Sequence, residues 1–232
     1  SKLKQLLPVL TKRKLVSEEE ADDLGRQILL ESLHMLSRSS DSGLADALRR
    51  EWKAAPSAYR QHAATAKTYA GLLIDQGFQE EAAKVIEFAL SRSWDDGLLR
   101  FYGSKDFGNP GRQLVIAENW LKDRPADSEL LLALGRLSMR HSLWGKAREY
   151  YTASLKISPT AEAFGELGRL FHALGEEAEA ERCLAAFTSR AGLLINDLPR
   201  PQPAQPLIGQ NETQRMKENF SDAKAGETEA GV

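Results

Sequence analysis

The residues best suited to chemistry in this chain are basic. Arg136, Arg140 and Arg169 stand in a sequence whose formal net charge is −2, and Arg136 and Arg169 lie 33 residues apart. A guanidinium presents its donors as a planar fork and binds carboxylates bidentately. The pattern points to a strip that holds an acidic peptide or another carboxylate-bearing ligand. The competing reading is a solvated face on which these arginines pair with Glu129, Glu162 or Glu166. Catalytic sets are not evident. His34, His62, His141 and His172 show no metal-ligand spacing with one another or with Cys183, the single cysteine. There is no GxSxG, P-loop, CxxCH or GxGxxG motif. The histidines read as packed or solvated and Cys183 as an inert buried thiol. The expectation is a non-enzyme with no metal and no cofactor.

The elements that must position these arginines begin in DSELLLALGRLSMRHSLWGKAREYYTASLKISP, residues 127–159. Two short amphipathic helices follow one another there. The first carries Leu131, Leu134, Gly135 and Ser138; the second carries Ala147, Tyr151, Ser154 and a closing Pro159. These are the slots of a tetratricopeptide repeat, W-x2-L-G-x2-Y…A-x3-F…P, with a period of about 34 residues. Gly135 and Ala147 are small where two helices approach, and Leu131, Leu134 and Tyr151 fill the gaps. Pro159 cannot donate a backbone bond and ends the second helix.

A second clear repeat spans 161–192. Phe164, Leu167-Gly168 and Phe171 fill its first helix, Gly175 turns the chain, Ala180, Leu184 and Phe187 fill its second helix, and Gly192 is positioned to cap it. Looser copies cover 60–94, with Ala70, Ala82 and Ile86 in the repeat slots, and 95–125, with helices at Gly97–Tyr102 and Arg112–Asp123. The expected fold is all-α: a tetratricopeptide right-handed superhelix, an α-solenoid of antiparallel helix pairs, over 1–195, with a helical N-terminal part at 1–56. Ser17-x-x-Glu20 reads as a capping box, Asp41 or Ser42 as the next cap, and Ser57 as the start of a helix running through Leu73. The four tryptophans, Trp52, Trp94, Trp120 and Trp144, read mostly as fillers. Residues 196–232 are Pro-rich, then polar, and read as a disordered tail.

In such a stack the first helix of each pair lines the concave face. That places Lys67, Tyr102, Arg136, Arg140, Arg169 and His172 in a candidate groove, with Asp75, Glu129 and Glu162 beside them. The near-neutral charge gives no field for nucleic acid. No apolar run reaches the length of a membrane span, and no signal peptide is visible. The first residues start without a helix cap, which reads as a piece of a longer chain.

The order of segments carries a resemblance. LLPVLTKRKLVSEEE, LRREWKAAP, LLIDQGFQEEAAKVIEFAL and DDGLLRFYGSKDFGNPGRQLVIAENWLKDRPADSELLLALGRL resemble the C-terminal repeat region of the proteobacterial HemY family, over about residues 1–195. That family is the tetratricopeptide protein associated with protohaem biosynthesis. The resemblance implies an inner-membrane protein whose two transmembrane helices precede the repeats, with the repeats on the cytoplasmic side and this fragment soluble. It implies protein partners, late haem-pathway enzymes among them, and offers no catalytic residue to carry over. Two other functions compete with this scaffold. One is a haem or porphyrin carrier, with propionates on Arg136, Arg140 and Arg169 and an axial ligand from His172, His141 or Met139. The other is a repeat protein of envelope assembly.

Overall fold

The structure is a computed structural model that describes residues 6, 7, 9–11, 13, 15–38 and 43–192. The chain divides into one compact unit, Ser1–Ala191, and a second, Gly192–Val232, of which only Gly192 is described. The expected caps Asp41 and Ser42 and the expected tail at 196–232 lie outside the described residues. From Ser17 onward the helices are α1 (Glu18–Ser37), α2 (Leu44–Ala54), α3 (Ser57–Gln61), α4 (Ala63–Asp75), α5 (Gln79–Arg92), α6 (Asp96–Ser104), α7 (Pro110–Asp123), α8 (Ser128–Arg140), α9 (Trp144–Ile157), α10 (Ala161–Ala173) and α11 (Glu177–Gly192).

Short polar side chains set where several of these helices start. Ser17 and Glu20 close the capping box reciprocally. The side chains of Asp95, Asn109, Asp127 and Thr160 accept amide bonds at the starts of α6, α7, α8 and α10. Pro110 occupies the first position of α7, where a missing N–H costs nothing. The expected continuous helix from Ser57 to Leu73 is instead two. His62 is extended, at φ −71° and ψ 134°, and the Thr65 hydroxyl donates to the carbonyls of Tyr59 and His62. A side chain has replaced the helical bonds at the break.

Three hairpin turns share one hydrogen-bond pattern. The amides of Phe78, Leu143 and Glu176 each reach back five residues, to the carbonyls of Leu73, Ser138 and Phe171. The residue before each is left-handed: Gly77 at φ 81°, Ser142 at 57° and Gly175 at 75°. This is the Schellman closure, which favours glycine; Ser142 adopts it with a side chain.

The pairs α4–α5 and α8–α9 pack as antiparallel hairpins, and α8 also packs on α6 and α7. The result is a tetratricopeptide-type α-solenoid. One core cluster runs from Leu29 and Leu33 through Tyr69, Ile86 and Tyr102 to Leu134; a second gathers Ala147, Tyr151, Leu167, Phe171 and Cys183. Trp52 stacks on Tyr69 at 4.2 Å, and Trp94 meets Trp120 edge-on at 5.6 Å. Trp144 is exposed. Gly135 is there because Tyr151 is: a Cβ on it would stand 2.3 Å from the Tyr151 ring. Gly103 does the same for α6 against α8, with Ala133 Cα 2.7 Å from a notional Cβ. The α6 helix therefore runs past the expected end at Tyr102, to Ser104.

Candidate functional site

The helices α4, α6, α8 and α10 carry the candidate groove residues, and the surroundings of those residues differ sharply. Lys67 is exposed, its ammonium 5.9 Å from the Phe101 ring centroid. Tyr102 is fully buried, so it cannot line a groove; its hydroxyl donates to Glu87 at 2.8 Å. Arg136 is also buried. Its Nε donates to Glu166 at 2.8 Å, and a terminal nitrogen binds both Glu166 and Glu162. Arg140 is exposed and donates to the Ser104 carbonyl, with no carboxylate partner among the described residues. Arg169 is 79% exposed and only 3.9 Å from Glu166 of its own helix. His172 is exposed with its Nδ1 3.1 Å from Glu177. Leu184, expected as a filler, is 62% exposed, whereas Phe164 is partly buried against the second cluster.

Arg136 is therefore held in a clamp. Burial acts to lower its pKa, and the bonds and charges of Glu166 and Glu162 more than reverse this, leaving it raised. Tyr151 donates to the second oxygen of Glu166 at 2.9 Å; burial, then the adjacent carboxylate, pushes its pKa up and keeps it a neutral donor. Arg100 extends the pairing, binding Glu129 at 3.0 Å with Glu162 at 3.9 Å. The face is thus a ladder of alternating charge across α6, α8 and α10, with Lys67, Arg140 and Arg169 outside its closed pairs.

The clamp has counterparts elsewhere. Glu87 on α5 takes Tyr102 from α6 and both terminal nitrogens of Arg112 from α7, at 2.8 and 2.7 Å. Glu118 on α7 takes Lys146 at 2.8 Å and Tyr150 at 2.9 Å, both from α9. Each cluster ties a carboxylate to a tyrosine and a cation from other helices, which satisfies a charge that burial alone would penalise. In two of them the tyrosine and glutamate are 15 residues apart, a regularity with no meaning until the helix packing is known. Among the described residues no group of three His, Cys, Asp or Glu side chains could hold a metal ion, and no helix is long and apolar enough to cross a membrane.

No protein-family model matches the chain. Among curated proteins it is 27% identical over 198 residues to Protein HemY of Escherichia coli (strain K12), covering 84% of this chain and 47% of the relative, and matches Protein HemY of Shigella flexneri to the same extent. Over that stretch the repeats of this chain are similar to HemY. It spans about half the length of the curated relatives it matches. Among solved structures, the crystal structure of MamA protein aligns with a TM-score of 0.46 at 15% identity, over 75% of this chain and 99% of that one. MamA 41-end from Desulfovibrio magneticus RS-1 aligns with 0.45 at 16%, over 76% and 97%.

The side chains considered for haem, His141, Met139 and His172, have separate surroundings. His141 is exposed, its ring 3.2 Å from where a Cβ on Gly111 would stand. Met139 packs against the second core cluster, and His172 faces Glu177. Cys183 is buried, and burial pushes its thiol pKa up, away from the reactive thiolate.

Proposed function

We propose that this HemY-like chain is a non-catalytic interaction scaffold whose first-helix face receives an acidic segment of a protein partner. The observation that supports this reading is the division of the face. Arg100 and Arg136 are neutralised by Glu129, Glu162 and Glu166, while Lys67 and Arg140 keep exposed charge without a carboxylate partner among the described residues. Exposed cations on a rigid, internally paired surface steer and orient an acidic ligand with little reorganisation. By its resemblance to the HemY family, the partner set is the late haem-pathway enzymes at the bacterial inner membrane, with the repeats on the cytoplasmic side. The carrier reading loses most of Arg136 as a propionate partner, because that guanidinium is buried and its Nε and one terminal nitrogen are already held by Glu166 and Glu162.

The test is affinity capture of the full-length protein, beside the Lys67→Glu/Arg140→Glu double variant, with mass spectrometry of what is retained. Haem-pathway enzymes are expected with the parent and depleted about tenfold in the variant, the loss of one or two charge-assisted contacts, with unchanged circular dichroism. Equal recovery from both moves the docking site elsewhere. A saturable Soret shift on haem titration returns the carrier reading instead.

A further inference from the structure

The two clear repeats share one sequence register, and the first shows what a cover on the second would look like. Gly135 and Gly168, Arg136 and Arg169, Ala147 and Ala180, and Tyr151 and Leu184 are each 33 residues apart. In the inner repeat, α8–α9, the outward face is covered by α10. Glu162 and Glu166, four residues apart on α10, clamp Arg136, whose side chain is 10% exposed. Tyr151 is 1% exposed. Ala163, Leu167 and Leu170 of α10 are buried in the second core cluster with it. Just past the end of α10, Glu176 takes Arg148 at 3.1 and 2.6 Å.

In the outer repeat, α10–α11, the same slots are open among the described residues. Arg169 is 79% exposed, and Leu184 is 62% exposed where Tyr151 is buried. Phe164, Leu184 and Phe187 line a mainly apolar groove of about 580 Å³, floored by Gly165 and Gly168. Arg190 lies over the Phe164 ring at 5.5 Å. The slot equivalent to Arg148 is Glu181, which reverses the charge at that end.

These slots define the chemistry of a layer that would cover them. It carries two carboxylates at i and i+4 facing Arg169, an apolar seam over Leu184 and Phe187, and a cation beyond its C-terminal end facing Glu181. Acid near the start and base near the end also suit the helix dipole. We propose that the α10–α11 face docks an amphipathic helix of a partner protein with this charge order, laid where α10 lies on α8–α9. The proposal rests on the scaffold reading only for the existence of a protein partner, and it uses a surface apart from Lys67 and Arg140.

The probe is a fluorescein-labelled, helix-stapled peptide of residues 160–176 carrying Glu176→Lys, titrated into the whole chain by fluorescence anisotropy. Saturable one-to-one binding is expected. Arg169→Glu weakens it about tenfold, the loss of a charge-assisted pair, and Leu184→Lys does so at least as much. A peptide with Glu162→Lys and Glu166→Lys regains affinity for the Arg169→Glu chain. Lys67→Glu/Arg140→Glu leaves the titration unchanged, so failure here and failure of the first-helix face are read separately. Both substituted side chains of the docking face are exposed, and melting curves check that the fold is kept. The proposal is overturned by absent binding, or by binding indifferent to Arg169→Glu and Leu184→Lys. Binding that appears only after truncation at Gly192 assigns the face to residues 193–232 and overturns the partner helix. A concentration-dependent dimer abolished by Leu184→Lys assigns it to a second copy, with the same consequence.

Discussion

The helices α8 and α10 carry the same motif and live in different surroundings. Every residue of α8 from Leu130 to Ser138 is buried, whereas α10 buries Ala163, Leu167, Leu170 and Phe171. The motif specifies the hairpin; the neighbour decides whether its outer side is core or surface. Arg136 and Arg169 show the difference at one slot, a buried clamp in one repeat and a solvated side chain in the other.

The largest break in this comparison comes from removing that side chain in each repeat. Arg136→Ala leaves the half-buried Glu166 without its nearest cation and is expected to cost about 2–3 kcal/mol. Arg169→Ala is expected to change stability by less than about 0.5 kcal/mol. Urea denaturation of both variants measures the contrast, and equal costs would mean that the two repeats are equally covered.

A smaller effect separates the paired glycines. Gly135→Ala drives a methyl into the Tyr151 ring, at 2.3 Å, and is expected to cost about 2–3 kcal/mol; Gly168→Ala meets Cys183 Cβ at 3.1 Å, where a shift of a few tenths of an ångström suffices, and is expected to cost about 1 kcal/mol. The turns sharpen the same comparison. Ser142 holds the left-handed position that Gly175 holds one repeat later. Ser142→Gly is expected to raise stability by about 0.5–1 kcal/mol and Gly175→Ala to lower it by about 1 kcal/mol, both visible as shifts in Tm.

The smallest effects are in pH dependence. Burial acts to raise the pKa of Glu118, but bonds from Lys146 and Tyr150 outweigh it and hold it below 4.5. A carboxylate with a depressed folded pKa stabilises the protein above its unfolded value, and that contribution fades as pH falls below about 4.5. Asp96 runs the other way: burial, then Asp127, Glu129 and Asp95, raise its pKa, so its charged form disfavours folding and acidification relieves it. Glu118→Gln is therefore expected to flatten the loss of stability below pH 4.5, and Asp96→Asn to stabilise at pH 7 while making little difference at pH 3. Denaturant midpoints across pH 3–7 decide both signs.

Much of the fold was legible because repeat slots are local. Leu134-Gly135, Ala147 and Tyr151 are separated by distances a single hairpin sets, and the capping side chains sit within three residues of the amides they serve. The surface was less legible. Tyr102 reads as a groove residue because it lies on the first helix of its pair; its burial depends on Glu87 and Phe107, and the close approach of Ala133 on α8 to Gly103 is not written near it. Leu184 occupies a filler slot, yet whether it fills anything depends on the next layer. Arg136 was placed on the right helix, and Glu162 and Glu166 were named as possible partners, but the depth of the pair depends on the packing of α10 onto α8.

The clusters at Glu87, Glu118 and Glu166 also have a mechanical side. Each joins helices through side chains 15 to 32 residues apart in sequence, by bonds of 2.6–2.9 Å. Apolar side chains slide past one another at little cost over small displacements, whereas short charge-assisted bonds lose strength within a fraction of an ångström. Under a tensile load these bonds would resist displacement more steeply than the apolar contacts around them, as would the Arg49–Glu81 pair between α2 and α5.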